Sequence, residues 1–190
     1  MVVSRKTTLI ILSFCSLMAL SARGYASSVR KTRTTLTDSA MVSLITCSSG
    51  DELYSTFGHS AIRVKDIHNK LDVVFNYGTF DFWDPDFYPK FVKGRLKYLL
   101  SVCPYKDFEK DLVAEKRWIY EQKLNLNLQE KQYLFDSLLI NYRPQNRFYS
   151  YDFFLDNCAT RIRNIFVEAI PRKIMFNYSS FEKGTSYRQL

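Results

Sequence analysis

Histidine is scarce in this chain. Only two, His59 and His68, occur in 190 residues. None of the patterns C-x-x-C, H-x-H or H-E-x-x-H is present, and zinc needs three or four Cys, His or carboxylate ligands at workable spacing. Neither a resident metal nor another cofactor is therefore expected. The absence of G-x-S-x-G removes the serine nucleophile elbow. Beyond the first residues no apolar run approaches the length of a membrane-spanning helix. Internal repeats and low-complexity tracts are absent as well. Acidic residues are the minority charge, 19 against 27 basic. The basic side chains are scattered through 90–97, 106–123 and 161–173 among apolar and acidic neighbours. That scatter fits a solvated basic surface or attraction to an anionic membrane surface. Nucleic acid is not an expected partner, because no binding module is recognisable.

What is present begins with a leader. Arg5 and Lys6 precede the apolar run Leu9–Leu20, and Gly24-Tyr25-Ala26 offers small residues at the minus-three and minus-one positions of a cleavage site. Residues 1–26 read as a secretory signal peptide cleaved after Ala26. Leu12-Ser13-Phe14-Cys15 is a poor lipobox, since Phe14 is bulky where a small residue is wanted. Removing Arg5, Lys6 and Arg23 with the leader lowers the formal charge from +8 to +5. A polar leader over 27–39 and one domain over 40–190 follow, long enough for a real core. The ending GTSYRQL has no closing polar tail, as in a naturally short chain or the front part of a longer one. Cys47, Cys103 and Cys158 survive cleavage. An odd count in an exported protein leaves one thiol free if the others pair. Pairing of Cys47 with Cys103 and two isolated structural thiols are equally open.

The pattern along the domain predicts α+β. AMVSLIT (40–46), GHSAIRV (58–64) and DVVFNY (72–77) read as strands, the last two forming an antiparallel hairpin around the polar loop 66–70. Residues 87–100 read as helical with an interruption at Gly94. Residues 105–122 read as helical with strand character near Trp118. Asn127 followed by Glu130 resembles a capping box opening a helix from Leu128 to about Tyr142, which Pro144 ends. Residues 148–155 form an aromatic connector. Aromatics are abundant, with 13 Tyr, 15 Phe and 2 Trp, and serve a core or a wet pocket.

The last helix carries the chemistry. Cys158, Ile162, Ile165, Phe166 and Ala169 share one face at the helical period, and Asp156 or Asn157 is a natural N-cap. Cys158 therefore sits in the first turn and points inward. Free N–H groups and the positive end of a helix favour a thiolate there, more so beside an imidazolium. The same N–H groups can hold an oxyanion. Buried cysteines also serve as small apolar residues, so a structural role stays open. A nucleophile needs a base. His68 lies in the polar loop and reads as solvent-exposed. His59 follows Gly58 at a strand start and is the remaining partner; Ser60 adjoins it. Together Cys and His suit acyl transfer. The neighbouring strand supplies the group that orients the imidazole. Its polar candidates are Asn76, the first choice, and Tyr77, which a one-residue slip would exchange for it, with Asp81 just beyond.

Four blocks in order, FGHSAIRV, DVVFNYGTFDF, FYPKFVKGRLKYLL and YSYDFFLDNCATRIR, resemble the Lnb N-terminal periplasmic domain family from about Val42 to the last residue. The resemblance implies a papain-like thiol fold in permuted order, of the NlpC type, with the His strand first and the Cys helix last. A small antiparallel sheet would pack against helices, with the nucleophile at a helix N-terminus. The implied activity is N-acylation of bacterial lipoproteins through a thioester on Cys158, at the periplasmic face of a membrane. The acyl donor would be a lipid or the lipoprotein itself. Within it, Asn157 and first-turn N–H groups are expected near the oxyanion, Arg161 is expected to pair with Asp81 or a lipid phosphate, and residues 77–83 are expected to line the pocket. Two rivals use the same chain differently: a cysteine amidase or peptidase acting on cell-wall peptide, and a non-catalytic binding module.

Overall fold

The computed structural model describes residues 34–52, 55–80, 86, 89–90, 93, 97–171 and 174. Within them the elements run β1 (Met41–Cys47), β2 (His59–Asp66), β3 (Leu71–Phe80), β4 (Lys97–Pro104), α1 (Tyr105–Ala114), β5 (Ile119–Lys123), α2 (Leu128–Asn141), β6 (Phe148–Ser150) and α3 (Cys158–Ala169). The strands form one antiparallel six-stranded sheet in the order β5-β1-β2-β3-β4-β6. The expected class, α+β, is what the chain adopts.

Strand alternation divides the core in two. Val42, Ile62, Val64, Phe75 and Leu100 face one side, where Leu134, Phe135 and Leu138 of α2 and Ile162, Ile165 and Phe166 of α3 cover them. Ile45, Ala61, Val74 and Cys103 face the other side, under Phe108 and Leu112 of α1. Each fully buried Leu, Ile or Phe contributes roughly 1.5–3 kcal/mol, so the apolar face of α3 is held firmly on the sheet. Central Arg63 is buried yet satisfied: Nε and Nη2 donate to the Asp72 carboxylate at 2.7 Å and Nη1 donates to Glu121 Oε2 at 2.9 Å. Tyr105 lies flat against its guanidinium, 3.4 Å from the ring centroid.

The β2–β3 hairpin forms around the exposed turn 67–70, and His68 is exposed in it. Asn127 and Glu130 make the reciprocal capping box of α2. The helical reading of 87–100 is corrected at its end: residues 97–100 belong to β4, pairing with β3 and β6. Tyr98, Leu100 and Val102 alternate into the core, and cross-strand partners decided what local propensity did not. The helix expected over 105–122 stops at Ala114. Lys116 adopts a left-handed φ of 56°, and the chain re-enters the sheet as β5. Residues 148–150 of the aromatic connector pair with β4. The polar leader is not loose at its end: Leu36 is buried, and Thr37 N and Oγ1 each donate to the buried Asp66 carboxylate at 2.8 Å. Pairing of Cys47 with Cys103 is excluded. The two lie on β1 and β4, three strand spacings or about 14 Å apart, and a disulfide needs Cα atoms within about 7 Å. Cys47, Cys103 and Cys158 are free thiols. The signal peptide, the cleavage point and the chain end fall outside the described residues.

Candidate active site

Cys158 is the first residue of α3. The sequence opens the helix there because Asn157 caps it: its Oδ1 accepts from Thr160 N at 3.0 Å, and Thr160 Oγ1 accepts from Asn157 N at 2.8 Å. The Asn157 amide group donates to Phe153 O at 2.7 Å. Asn157 is therefore a positioning residue with its side chain already engaged, and the donors around the thiol come from the backbone.

His59 opens β2 on the strand beside the end of β3. Its Nε2–H donates to Asn76 Oδ1 at 2.6 Å. That leaves Nδ1 as the nitrogen for the Cys158 thiol, with which the ring is hydrogen-bonded. Alternation settles Asn76 against Tyr77. With Ile62 opposite Phe75, Asn76 shares the face of His59, whereas Tyr77 is buried in the main core and its hydroxyl accepts from Asn141 Nδ2 at 2.9 Å.

Burial alone pushes the Cys158 thiol up. The hydrogen bond and charge of His59, with backbone N–H bonds from Ser60 and Ala159, outweigh burial and hold it below the ordinary thiol value. The contrast with the other cysteines is sharp. Burial raises Cys47 to about 11, against the lowering pull of Arg117, and raises Cys103 to about 12.

Gly78 leaves room for the pairing; the strand expected over 72–77 runs on through it to Phe80. It sits at a bulge between Tyr77 and Thr79 with φ +121°. A Cβ there would lie 3.2 Å from His59 Cε1 and 4.0 Å from Cys158 Cβ. The imidazole rests on a bare backbone. Three tyrosines missed as site residues stand around the thiol: burial and the nearby Cys158 charge push up the hydroxyls of Tyr98, Tyr149 and Tyr151. Tyr98 stacks on Tyr151 at 4.3 Å. Tyr149 Oη is buried without a hydrogen-bond partner among the described residues. The alternating tyrosines of YSYDFF were the available signal, and they are readable only once β6 is known to lie beside β4.

Asp81, the partner expected for Arg161, lies outside the described residues. Arg161 clamps Asp156 with Nε and Nη2, five residues back, and lies over the Tyr149 ring at 4.3 Å. Of the expected pocket segment, residues 81–83, Asp81 among them, lie outside the described residues. Phe80 packs edge-on against Tyr98, with ring centroids 5.1 Å apart. Beside Ser60 and Ala159 opens a cavity of about 210 Å³, walled by Leu44, Ile162, Phe166 and Ile174, with Arg163 beside them. Arg163 donates to the neutral Asn164 Oδ1, at 2.9 and 3.1 Å. Among the described residues no group of three His, Cys or carboxylate side chains could hold a metal, and no helix is long and apolar enough to cross a membrane.

A sequence model of one family, described as the Lnb N-terminal periplasmic domain, matches residues 28–189. No curated protein and no solved structure matches the chain.

Proposed function

Because the chain belongs to the Lnb N-terminal periplasmic domain family, we propose that it is a periplasmic cysteine acyltransferase-like domain acting in N-acylation of bacterial lipoproteins. We read its fold as the permuted papain-like arrangement, His strand before Cys helix. One observation carries the proposal: the line Cys158–His59–Asn76, with the thiol held low at a helix N-terminus. Cysteine nucleophiles paired with imidazole and oriented by a third group suit acyl transfer.

In the proposed cycle the Cys158 thiolate attacks the carbonyl carbon of an ester-linked acyl group. The C=O π pair moves onto oxygen. Backbone N–H groups of Ser60 and Ala159, freed from the thiolate as sulfur becomes covalent, are the nearest donors for that oxyanion. Collapse breaks the carbon–oxygen ester bond, and the His59 imidazolium gives its Nδ1 proton to the leaving alcohol. The thioester then meets a neutral amine. Attack forms the C–N bond, His59 removes the surplus proton from nitrogen, and the C–S bond breaks to restore the thiolate–imidazolium pair. Asn76 keeps the Nε2 proton in place throughout, so that Nδ1 does the exchanging. The apolar cavity beside Ser60 and Ala159 suits an acyl chain and offers little to a polar peptide.

The test is to incubate the protein with a diacylated lipopeptide and follow the Cys158 peptide by mass spectrometry. A hydroxylamine-sensitive acyl adduct on Cys158, lost in His59→Ala, followed by an N-acylated peptide, is the expected result. Cleavage of a cell-wall peptide with no acyl adduct would move the domain to the amidase class. Failure of Cys158 to react faster than a buried thiol would leave a binding module.

A further inference from the structure

Phe153, Phe154 and Leu155 are 44%, 48% and 70% exposed in succession. Three consecutive exposed large apolar side chains are an error in a soluble surface unless something uses them. Phe57, 77% exposed, joins them from a different loop, edge-on to Phe153 with ring centroids 4.7 Å apart. The two loops lead straight into the site: Phe57 stands two residues before His59, and Leu155 three before Cys158.

The tip is held in its exposed form. Asp152 and Asp156 exchange backbone hydrogen bonds of 3.0 Å in both directions. Asp152 Oδ1 accepts from Phe154 N at 2.9 Å and from Leu155 N at 2.8 Å. Phe153 O accepts from the capping Asn157, and the Asp156 carboxylate is neutralised by Arg161. Four of the five backbone N–H groups of 152–156 are thus satisfied internally, which a segment entering an apolar medium requires.

We propose that the 152–156 tip and Phe57 form a membrane-docking surface that inserts into the interfacial zone of a lipid bilayer and presents the mouth of the Cys158 site to it. The area favours lipid over protein. Four such side chains at these exposures offer on the order of 500 Å², short of the ~800 Å² per partner of a stable protein interface. A shallow apolar wedge combined with net positive charge is enough for reversible binding to anionic bilayers. The proposal does not depend on the chemistry assigned to Cys158.

The experiment is sedimentation of the full exported chain with vesicles of phosphatidylethanolamine containing phosphatidylglycerol, comparing wild type, Phe57→Ser and the double variant Phe153→Ser/Leu155→Ser. A Leu155→Trp variant reports the environment of the tip by its fluorescence. Wild type should bind, each serine variant should bind at least about tenfold more weakly, and the emission of the introduced indole should move to the blue on adding vesicles. Circular dichroism and Cys158 alkylation should be unchanged in the serine variants, separating lost docking from lost fold or lost site. Equal vesicle binding by wild type and variants overturns the proposal. So does no vesicle binding by wild type; self-association abolished by Phe153→Ser/Leu155→Ser would then make the tip a protein interface.

Discussion

Replacing Gly78 with alanine perturbs the site through a single methyl group. The residue has φ +121°, where L side chains are strained, a cost of about 1–3 kcal/mol. The added Cβ would meet His59 Cε1 at 3.2 Å and Nδ1 at 3.8 Å. The ring must yield by a few tenths of an ångström, and it is held on its far side by the 2.6 Å bond to Asn76. Either that bond lengthens or Nδ1 moves off the thiol. A total of about 2 kcal/mol lowers the melting temperature by roughly 4–8 °C in a chain of this size. Scanning calorimetry reads that part. Iodoacetamide alkylation of Cys158 against pH reads the other: its midpoint should move up as the lowering effect of His59 weakens. The double variant His59→Ala/Gly78→Ala isolates the contact. With the ring gone only backbone strain remains, so Gly78→Ala should cost less there than in wild type. Equal costs in both backgrounds, or a Gly78→Ala protein with an unchanged alkylation profile, would refute the close approach of ring and backbone.

Asn76→Ala should leave the protein folded yet shift Cys158 alkylation toward higher pH, because the ring loses the acceptor that fixes its tautomer; an unchanged profile would remove Asn76 from the site. Asp111 is raised to about 6 by burial first and by Asp107 and Glu115 next. A carboxyl raised in the folded state stabilises below its unfolded value, and that contribution is lost as pH rises through 6. Asp111→Asn should therefore stabilise at pH 8 by up to about 1 kcal/mol, allowing for its half-exposed position, with the difference gone below pH 4 in urea titrations. Arg63→Ala strands Asp72 and Glu121 and empties the space against Tyr105; it should cost about 3 kcal/mol, read from the urea midpoint. Tyr149→Phe removes a buried hydroxyl without a partner among the described residues and should leave the melting temperature unchanged or raise it; a marked fall would mean that the hydroxyl is bonded in solution.

The features legible from the chain alone are local. The caps at Asn127 and Asn157 bind residues three apart, and the helical period of Cys158, Ile162, Ile165 and Phe166 spans a few turns. Both can be read because the interacting groups are close in the chain. The short count of histidines left His59 as the candidate base for Cys158, and the polar residues of the neighbouring strand narrowed its partner to Asn76 or Tyr77, with Asp81 just beyond. The choice between those two belonged to the tertiary structure, since only the pairing of β2 with β3 sets which parity faces the imidazole. The same holds for 97–100, whose local preference is indifferent between helix and strand until β3 and β6 supply hydrogen-bonding edges on either side. Gly78, the three tyrosines and the Arg161–Asp156 clamp became site features for that reason: each acts on an atom that comes near it only when the sheet closes and α3 lands on it. Caps and periods are written within a turn or two of chain, whereas the approach of a ring to a bare backbone is decided by register across strands, where one residue's slip turns every side chain to the other face.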